Sequence, residues 1–123
     1  MLGKQTLVAF VATRDAARAR VFYLETLGLA LVSDDPFALG LDAHGTTIRV
    51  QKVASFQPQP FTALGWTVDD IDAVITAVKQ KWAVCEHFPG LEPDAHGIWT
   101  SPSGARIEWF EDPDGNVLSL TEF

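Results

Sequence analysis

The sequence predicts an α+β fold built from two similar halves, each a strand, a helix and then further strands. Short apolar runs of strand length end at turn residues, and two segments repeat apolar residues at helical spacing. The strand at 7–13 and the helix at 15–27 are paralleled by a strand at 64–68 and a helix at 70–82. This parallel indicates an internal duplication.

The composition excludes several classes of protein. A chain of 123 residues with 47% hydrophobic residues has the size of one globular domain. Its net charge of −7, without any cluster of Lys and Arg, argues against nucleic acid as a partner. The apolar run at 7–12 is too short to cross a bilayer and lacks a signal-peptide cleavage region, so no membrane partner is expected. The lone Cys85 fits a reducing compartment, and we expect a cytoplasmic protein.

The first half, about 5–53, begins with a strand whose alternate residues face opposite sides. Val8 and Phe10 are expected on the side away from the helix layer, and Thr13 or Asp15 is expected to cap the helix. Gly28 provides the left-handed residue that ends this helix. The remaining strands are predicted at 29–32, 37–41 and 46–53.

A proline-containing stretch at 54–61 is predicted to connect the halves, and the second half covers about 62–123. There Trp66 is expected to face the helix layer, and Asp69 or Asp70 to cap the helix. The buried stripe of that helix is predicted to be Ile71, Val74, Ile75 and Val78.

The region before the last hairpin is less regular. We expect one short strand and a loop within 84–94, where prolines interrupt the pattern, and a strand that resumes at 96–100. If the turn at 101–104 is tight, Trp99 lies opposite Arg106, which would place an indole beside a guanidinium.

The final hairpin is the most informative stretch. Its turn, Asp112-Pro113-Asp114-Gly115, combines a fixed φ with a residue that accepts positive φ. Alternation predicts that one face carries Ile107, Trp109, Leu118 and Leu120, and the other Arg106, Glu108, Phe110, Ser119 and Thr121. A similar turn ends at Gly45, and aligning it with Gly115 places Arg49 over Ser119.

Five segments of the chain together carry a family resemblance. They are Val11-Ala12-Thr13-Arg14-Asp15, Phe22-Tyr23, Leu27-Gly28-Leu29, Val68-Asp69-Asp70 and Phe110-Glu111-Asp112-Pro113-Asp114-Gly115-Asn116. The pattern resembles the vicinal oxygen chelate superfamily, which includes glyoxalase I, extradiol dioxygenases, fosfomycin-resistance enzymes and bleomycin-binding proteins. The resemblance implies a single domain over 1–123, formed by two βαβββ modules whose curved mixed sheets surround a cavity, usually in a homodimer.

The resemblance also implies where a metal would be held. Enzymatic members bind a divalent metal through His, Gln or Glu on the first and last strands of each module. The matching positions in this sequence are Val8, Arg49, Ala63 and Ser119. None is a usual ligand and a cationic Arg49 repels a metal, so we expect neither metal nor cofactor. A shift of register by one residue would instead offer Gln51, Glu108 or His96.

The three histidines are interpreted as surface or loop residues. His44 lies in the turn that ends at Gly45. His87 and His96 flank the irregular stretch and could form a displaced site with Glu86 or Glu92, but their spacing is not that of a metal motif.

We therefore expect a protein that binds a small organic molecule without a metal, as bleomycin-binding members do. The predicted ligand-binding residues are Phe10, Arg49, Trp99, Arg106, Glu108 and Phe110. Arg49 and Glu108 are expected either to hold the ligand or to form a buried ion pair with each other. No catalytic residues are recognised. The alternatives are a metal-dependent enzyme of glyoxalase or dioxygenase type with ligands elsewhere, and a degenerate module that acts in protein interaction.

Overall fold

The structure, a computed structural model, describes residues 1–81, 85–86 and 97–123, with only the backbone described at 85–86. The chain forms two compact units, Met1–Gln57 and Pro58–Phe123, and their boundary falls within the stretch predicted to connect the halves. Each unit runs from a strand through a helix to further strands. This order confirms the predicted α+β fold of two βαβββ modules.

The first unit has one four-stranded mixed sheet. Its elements are β1 (Val8–Thr13), α1 (Ala16–Val21), a wider helical turn that continues α1 (Phe22–Thr26), β2 (Ala30–Asp34), β3 (Ala38–Ala43) and β4 (Thr46–Lys52). A short helical turn at Leu2–Lys4 precedes β1. The order across the sheet is β1-β4-β3-β2, with β1 parallel to β4 and the other pairs antiparallel.

One face of this sheet is buried, as the alternation of its strands predicts. Leu39, Leu41, Ile48 and Val50 lie on that face and are buried, as are Phe22 and Tyr23 after α1. On β1, every second residue points to the opposite face. Val8 and Phe10 are accordingly 39% and 52% exposed, which confirms their predicted side.

Both helices begin at an aspartate in the same way. The Asp15 carboxylate accepts a hydrogen bond from the backbone N–H of Arg18 at 3.1 Å, and the Asp70 carboxylate accepts one from Ala73 at 3.1 Å. Each cap had two predicted candidates, and in both halves it is the later residue, Asp15 or Asp70, that accepts from the N–H at N3. Gly28, with φ of +76°, ends the first helical segment as predicted.

The second unit has a five-stranded sheet among its described residues. Its elements are β5 (Thr62–Thr67), α2 (Ile71–Lys81), β6 (Cys85–Glu86), β7 (Trp99–Thr100), β8 (Arg106–Glu111) and β9 (Val117–Glu122). β9 lies between β5 and β8, and the short strands β6 and β7 both pair antiparallel with β8. The two short strands predicted before the hairpin are thus β6 and β7, which pair with different parts of β8.

The turn between β8 and β9 is closed by one carboxylate. Asp112 Oδ1 accepts from the backbone N–H groups of Asp114 and Asn116, both at 2.9 Å, and Asp112 Oδ2 accepts from the Asn116 side-chain amide at 2.8 Å. Gly115, at φ of +89°, donates its N–H to the Asp112 carbonyl at 3.0 Å. The carboxylate itself is buried, so its three donors replace the water it has lost.

This turn contains five residues, because Glu111 pairs with Val117. The pairing then places Glu108 opposite Leu120, and Trp109 opposite Ser119. Residues directly opposite share a face, so Trp109 lies with Ser119 and not with Leu118 and Leu120.

The predicted faces of β8 are therefore wrong relative to β9. The aligned turn of the first unit contains two residues, since Ala43 pairs with Thr46. Turns of two and five residues differ by an odd number, which exchanges the faces of the strand before the turn.

Helix α2 is attached to the face that carries Arg106, Glu108 and Phe110. The Arg106 guanidinium binds both oxygens of Asp72 in α2, at 2.8 and 3.0 Å, and Glu122 accepts from the backbone N–H of Ile71 at 2.9 Å. Arg106 and Glu122 are themselves opposite each other in the sheet. These charged contacts identify this face as the one that α2 covers.

Replacing Asp112 with Ala should lower the free energy of unfolding by about 3 kcal/mol or more, since three buried donors lose a charged acceptor. Asp112→Asn should lower it less, because one acceptor oxygen remains. Urea unfolding measures both effects.

The control for this prediction is Asp42→Ala, the aligned change at the shorter turn, which should alter stability by less than about 1 kcal/mol. Equal losses from Asp42→Ala and Asp112→Ala would contradict a special role for the longer turn.

Candidate functional site

The open face of the first unit, the face opposite its buried one, carries a row of four unlike residues. Phe10 of β1 pairs with Arg49 of β4, Arg49 pairs with Gly40 of β3, and Gly40 pairs with Ser33 of β2. The row therefore carries an aromatic ring, a guanidinium, a buried glycine and a hydroxyl, in that order across the sheet.

The Arg49 guanidinium lies beside the Asp35 carboxylate. The two groups approach to 3.7 Å, and their side chains are 35% and 42% exposed. Asp35 Oδ1 accepts hydrogen bonds from the backbone N–H groups of Phe37 at 2.8 Å and Ala38 at 3.0 Å. These two donors, with smaller help from the charge of Arg49, hold the pKa of Asp35 below its usual value.

Glu108 was predicted as a possible ion-pair partner of Arg49. The partner that the structure gives is Asp35, from the loop between β2 and β3. This loop is three residues long and reaches the open face because β2 ends one strand away from β4.

A pair of tryptophans marks the indole face of the second unit, defined here by Trp99, Trp109, Ile107, Ser119 and Gly65. The rings of Trp99 and Trp109 have centroids 6.0 Å apart and planes inclined at 35°. Trp99 pairs with Ile107 and Trp109 pairs with Ser119, so all four share the face opposite α2. The Trp109 indole N–H donates to the Thr62 hydroxyl at 3.2 Å, which orients this ring.

Small residues lie next to the indoles. Gly65 pairs with Ser119 across the sheet, and a Cβ at position 65 would approach the Ser119 hydroxyl to 2.7 Å. Glycine at this position therefore lets the hydroxyl lie over the backbone of β5. The surface beside the indole pair is flat and weakly polar.

Three of the predicted site residues lie on the other face of this sheet. The predicted placement of Arg106, Glu108 and Phe110 on the cavity side is wrong, because all three lie on the face that α2 covers. Glu108 and Phe110 have no exposed surface, and Arg106 is bound to Asp72. Trp99 is opposite Ile107 and not Arg106, so the predicted neighbourhood of indole and guanidinium is also wrong.

Trp109 is the site residue that the sequence reasoning missed. It was assigned to the core with Leu118 and Leu120, and the structure places it with Ser119 on the indole face. Counting the residues between Glu111 and Val117 would have revealed this, but only with the ends of the turn already known. Phe10, Arg49 and Trp99 remain as the predicted residues that lie on the faces opposite the buried ones.

The four positions that the family uses for a metal hold unsuitable side chains here. Val8 and Ala63 have no donor atom, Arg49 is cationic, and Ser119 offers a neutral hydroxyl. These residues do not fit a divalent metal. In the described parts of the chain, no group of three or more His, Cys, Asp or Glu side chains could hold one either.

The histidines divide between described and undescribed residues. His44 occupies the turn before β4 with φ of +50° and is exposed, as predicted. His87, His96 and Glu92 lie outside the described residues, as does the side chain of Glu86.

The two βαβββ units, each with a sheet of the same strand order, define the class of this protein. The sequence profile of the Glyoxalase/Bleomycin resistance protein/Dioxygenase superfamily matches residues 5–120. The chain belongs to this superfamily, as its sequence segments predicted.

Solved structures with the same fold differ in what their names say they do. Lactoylglutathione lyase from Agrobacterium tumefaciens is 16% identical, with a TM-score of 0.72 over 97% of this chain and 93% of that one. A fosfomycin resistance protein from Listeria monocytogenes is 12% identical, with a TM-score of 0.76 over 98% and 93%. An antibiotic binding protein from a Streptomyces species is 23% identical, with a TM-score of 0.69 over 97% and 95%. At these identities the likeness shows the fold alone.

No curated protein sequence matches the chain. Among the described residues, no helix has the length and apolar character needed to cross a membrane.

The depressed pKa of Asp35 makes a prediction for acid stability. Because folding lowers this pKa, the charged carboxylate contributes stability above its usual value near 3.8, and that contribution is lost as the pH falls through the folded pKa. The difference in free energy of unfolding between the wild type and Asp35→Asn should be constant above about pH 5 and shrink towards pH 3. Urea unfolding over this range measures it.

The comparison variant for acid stability is Ser33→Ala, which removes no ionisable group and should differ from the wild type by the same amount at every pH. A difference for Asp35→Asn that persists unchanged to pH 3 would contradict the role of its charge.

Proposed function

We propose that this protein binds a small planar organic molecule on the indole face of its second unit and does so without a metal. The observation that supports this most directly is the Trp99–Trp109 pair, with ring centroids 6.0 Å apart, on a face whose neighbouring β5 residues are exposed. Aromatic rings fixed in this way provide a large contact area at small cost in side-chain entropy.

The two indoles are held differently, which suits a binding surface. Trp109 is oriented by its hydrogen bond to Thr62. Trp99, on the short strand β7, packs against the Trp109 ring. Both rings are half-buried, so a ligand would remove their remaining apolar surface from water. At about 25 cal/mol for each Å² buried, covering a planar ring system supplies several kcal/mol towards affinity.

The neighbouring side chains favour recognition of a ring over chemistry on it. Ser119, Thr62 and Thr121 are neutral, and Gly65 keeps the surface open beside them. Nothing in this set is a strong base, a nucleophile with an adjacent base or a metal donor set. Binding without turnover is the function that these residues support.

The name of one structural neighbour agrees with this proposal. The Streptomyces protein with a TM-score of 0.69 is described as antibiotic binding. The proposal places the present chain nearer to such binding members than to the lyase, whose name implies turnover. Phe10 and Arg49 stay predicted ligand-binding residues of the first unit, taken by itself.

Two further expectations from the sequence belong to the same proposal. A homodimer is expected by analogy with the superfamily, and a cytoplasmic location is expected from the lone Cys85. Gel filtration with light scattering measures the first.

Replacing Trp99 or Trp109 with Leu should weaken binding of a planar acridine dye by about tenfold or more, because each indole is proposed to contact the dye. Quenching of tryptophan fluorescence measures the affinity in the wild type. Each variant keeps three of the four tryptophans as reporters.

Trp66→Phe is the matched control for the indoles, since Trp66 pairs with Leu120 on the α2 face. It should bind the dye as the wild type does. Equal affinities for Trp99→Leu, Trp109→Leu and the wild type would contradict the proposed site.

Elemental mass spectrometry should find less than about 0.1 equivalents of metal per chain after purification without chelator, because the described residues contain no suitable donor set. The same result is expected after incubation with Mn, Fe, Ni or Zn salts and desalting. About one tightly held metal per chain would favour the metal-dependent enzyme instead.

A further inference from the structure

We infer that the row Phe10, Arg49, Gly40 and Ser33 on the open face of the first unit is a carboxylate subsite that binds a planar organic acid. This inference goes beyond the proposed function and does not depend on it, because every residue of the row belongs to the first unit. The juxtaposition that carries it is an arginine whose strand lies next to that of an exposed ring on one side and two strands from an exposed hydroxyl on the other.

The ring and the cation are adjacent on one face. Phe10 and Arg49 are directly paired in the parallel ladder of β1 and β4, and Phe10 leaves 52% of its surface exposed. Phe10 lies halfway along β1, at the edge of the described sheet, and an exposed aromatic ring there offers apolar surface to a ring of a ligand. A planar acid lying on Phe10 would bring its carboxylate to the next strand, where Arg49 stands.

Arg49 is held loosely enough to accept a ligand. In the described parts of the chain its one ion-pair contact is Asp35, at 3.7 Å, which is longer than a hydrogen bond. Both side chains are more than a third exposed, and exposed pairs of this kind are weak because water competes for both charges. Asp35 Oδ1 already accepts hydrogen bonds from the backbone of Phe37 and Ala38. Asp35 therefore attracts the guanidinium but leaves the N–H groups of Arg49 able to donate to a ligand.

The other side of Arg49 is shaped for a small polar group. Gly40 has no side chain, and a Cβ there would collide with the Ser33 hydroxyl. Ser33 is exposed and its hydroxyl lies over this bare backbone. A carboxylate can therefore accept from the guanidinium through both oxygens and from the Ser33 hydroxyl at one of them.

The acidic character of the chain does not oppose such a ligand at contact. The net charge of −7 is spread over the whole surface, and its field is screened within about 8 Å at physiological ionic strength. A bidentate contact to Arg49 acts at about 3 Å, where the local cation determines the sign of the interaction. Lys52, the next cation along β4, is bound to Asp34 at 2.6 Å.

The test compares 2-naphthoate with 2-naphthamide, which share a ring system and differ in charge. Calorimetry with the wild-type protein should show that naphthoate binds about tenfold more tightly than naphthamide. In Arg49→Gln this preference should fall to about twofold or less, with naphthamide unchanged. Arg49→Lys should retain part of it, because an ammonium keeps the charge but not the planar pair of donors.

Lys52→Gln is the matched control, since it removes the same charge three residues further along β4. It should keep the full preference for naphthoate, and thermal unfolding of all three variants verifies that they are folded. Equal binding of the two probes to the wild type would overturn the carboxylate subsite and leave the proposed function standing. Loss of the preference in Lys52→Gln as well would overturn it too, by showing a diffuse effect of charge. Binding of neither probe, together with no response to the acridine dye, would overturn both proposals.

Discussion

The buried carboxylate of Asp112 is the group on which the arrangement of the second unit depends. It accepts three hydrogen bonds from Asp114 and Asn116, at 2.8 to 2.9 Å, within a turn of five residues. Hydrogen bonds to a charged acceptor contribute about 1.5–3 kcal/mol each, which is enough to keep such a turn in one conformation. The turn fixes Glu111 opposite Val117 and thereby every pair between β8 and β9. The chemistry of each sheet face follows from that register.

Two unlike surfaces result from this single register. On the α2 face, Arg106 and Glu122 stand opposite each other and bind the first turn of the helix through Asp72 and Ile71. On the indole face, the same strands bring Trp109 beside Ser119 and Trp99 beside Ile107. A helix N-terminus is stabilised by acidic groups, which suits Glu122 and Asp72, and Arg106 lies there because it pairs with the Asp72 carboxylate. The neutral face is the one on which we propose that an aromatic ligand binds.

Membership of the superfamily sets the backbone, and side chains at a few strand positions set the chemistry. Where metal-dependent relatives are expected to carry donor groups, this chain has Val8, Arg49, Ala63 and Ser119. Each unit instead presents aromatic surface: Phe10 beside a guanidinium in the first, and paired indoles in the second. Apolar contacts supply affinity but do not fix the orientation of a ligand, whereas a guanidinium can fix it. These surfaces are the physical basis of the binding that we propose for each unit.

The sequence by itself determined the features that depend on near neighbours in the chain. The duplication, the aspartates that begin both helices and the exposed side of Val8 and Phe10 were all predictable, because caps and strand alternation act over a few residues. The partner of Arg49 and the faces of Arg106, Glu108, Phe110 and Trp109 were decided by the tertiary structure. Which residues share a face across two strands depends on how many residues the turn between them excludes from pairing. In this chain the hydrogen bonds of Asp112 set that number at five, whereas the aligned turn of the first unit has two, and an odd difference exchanges the faces.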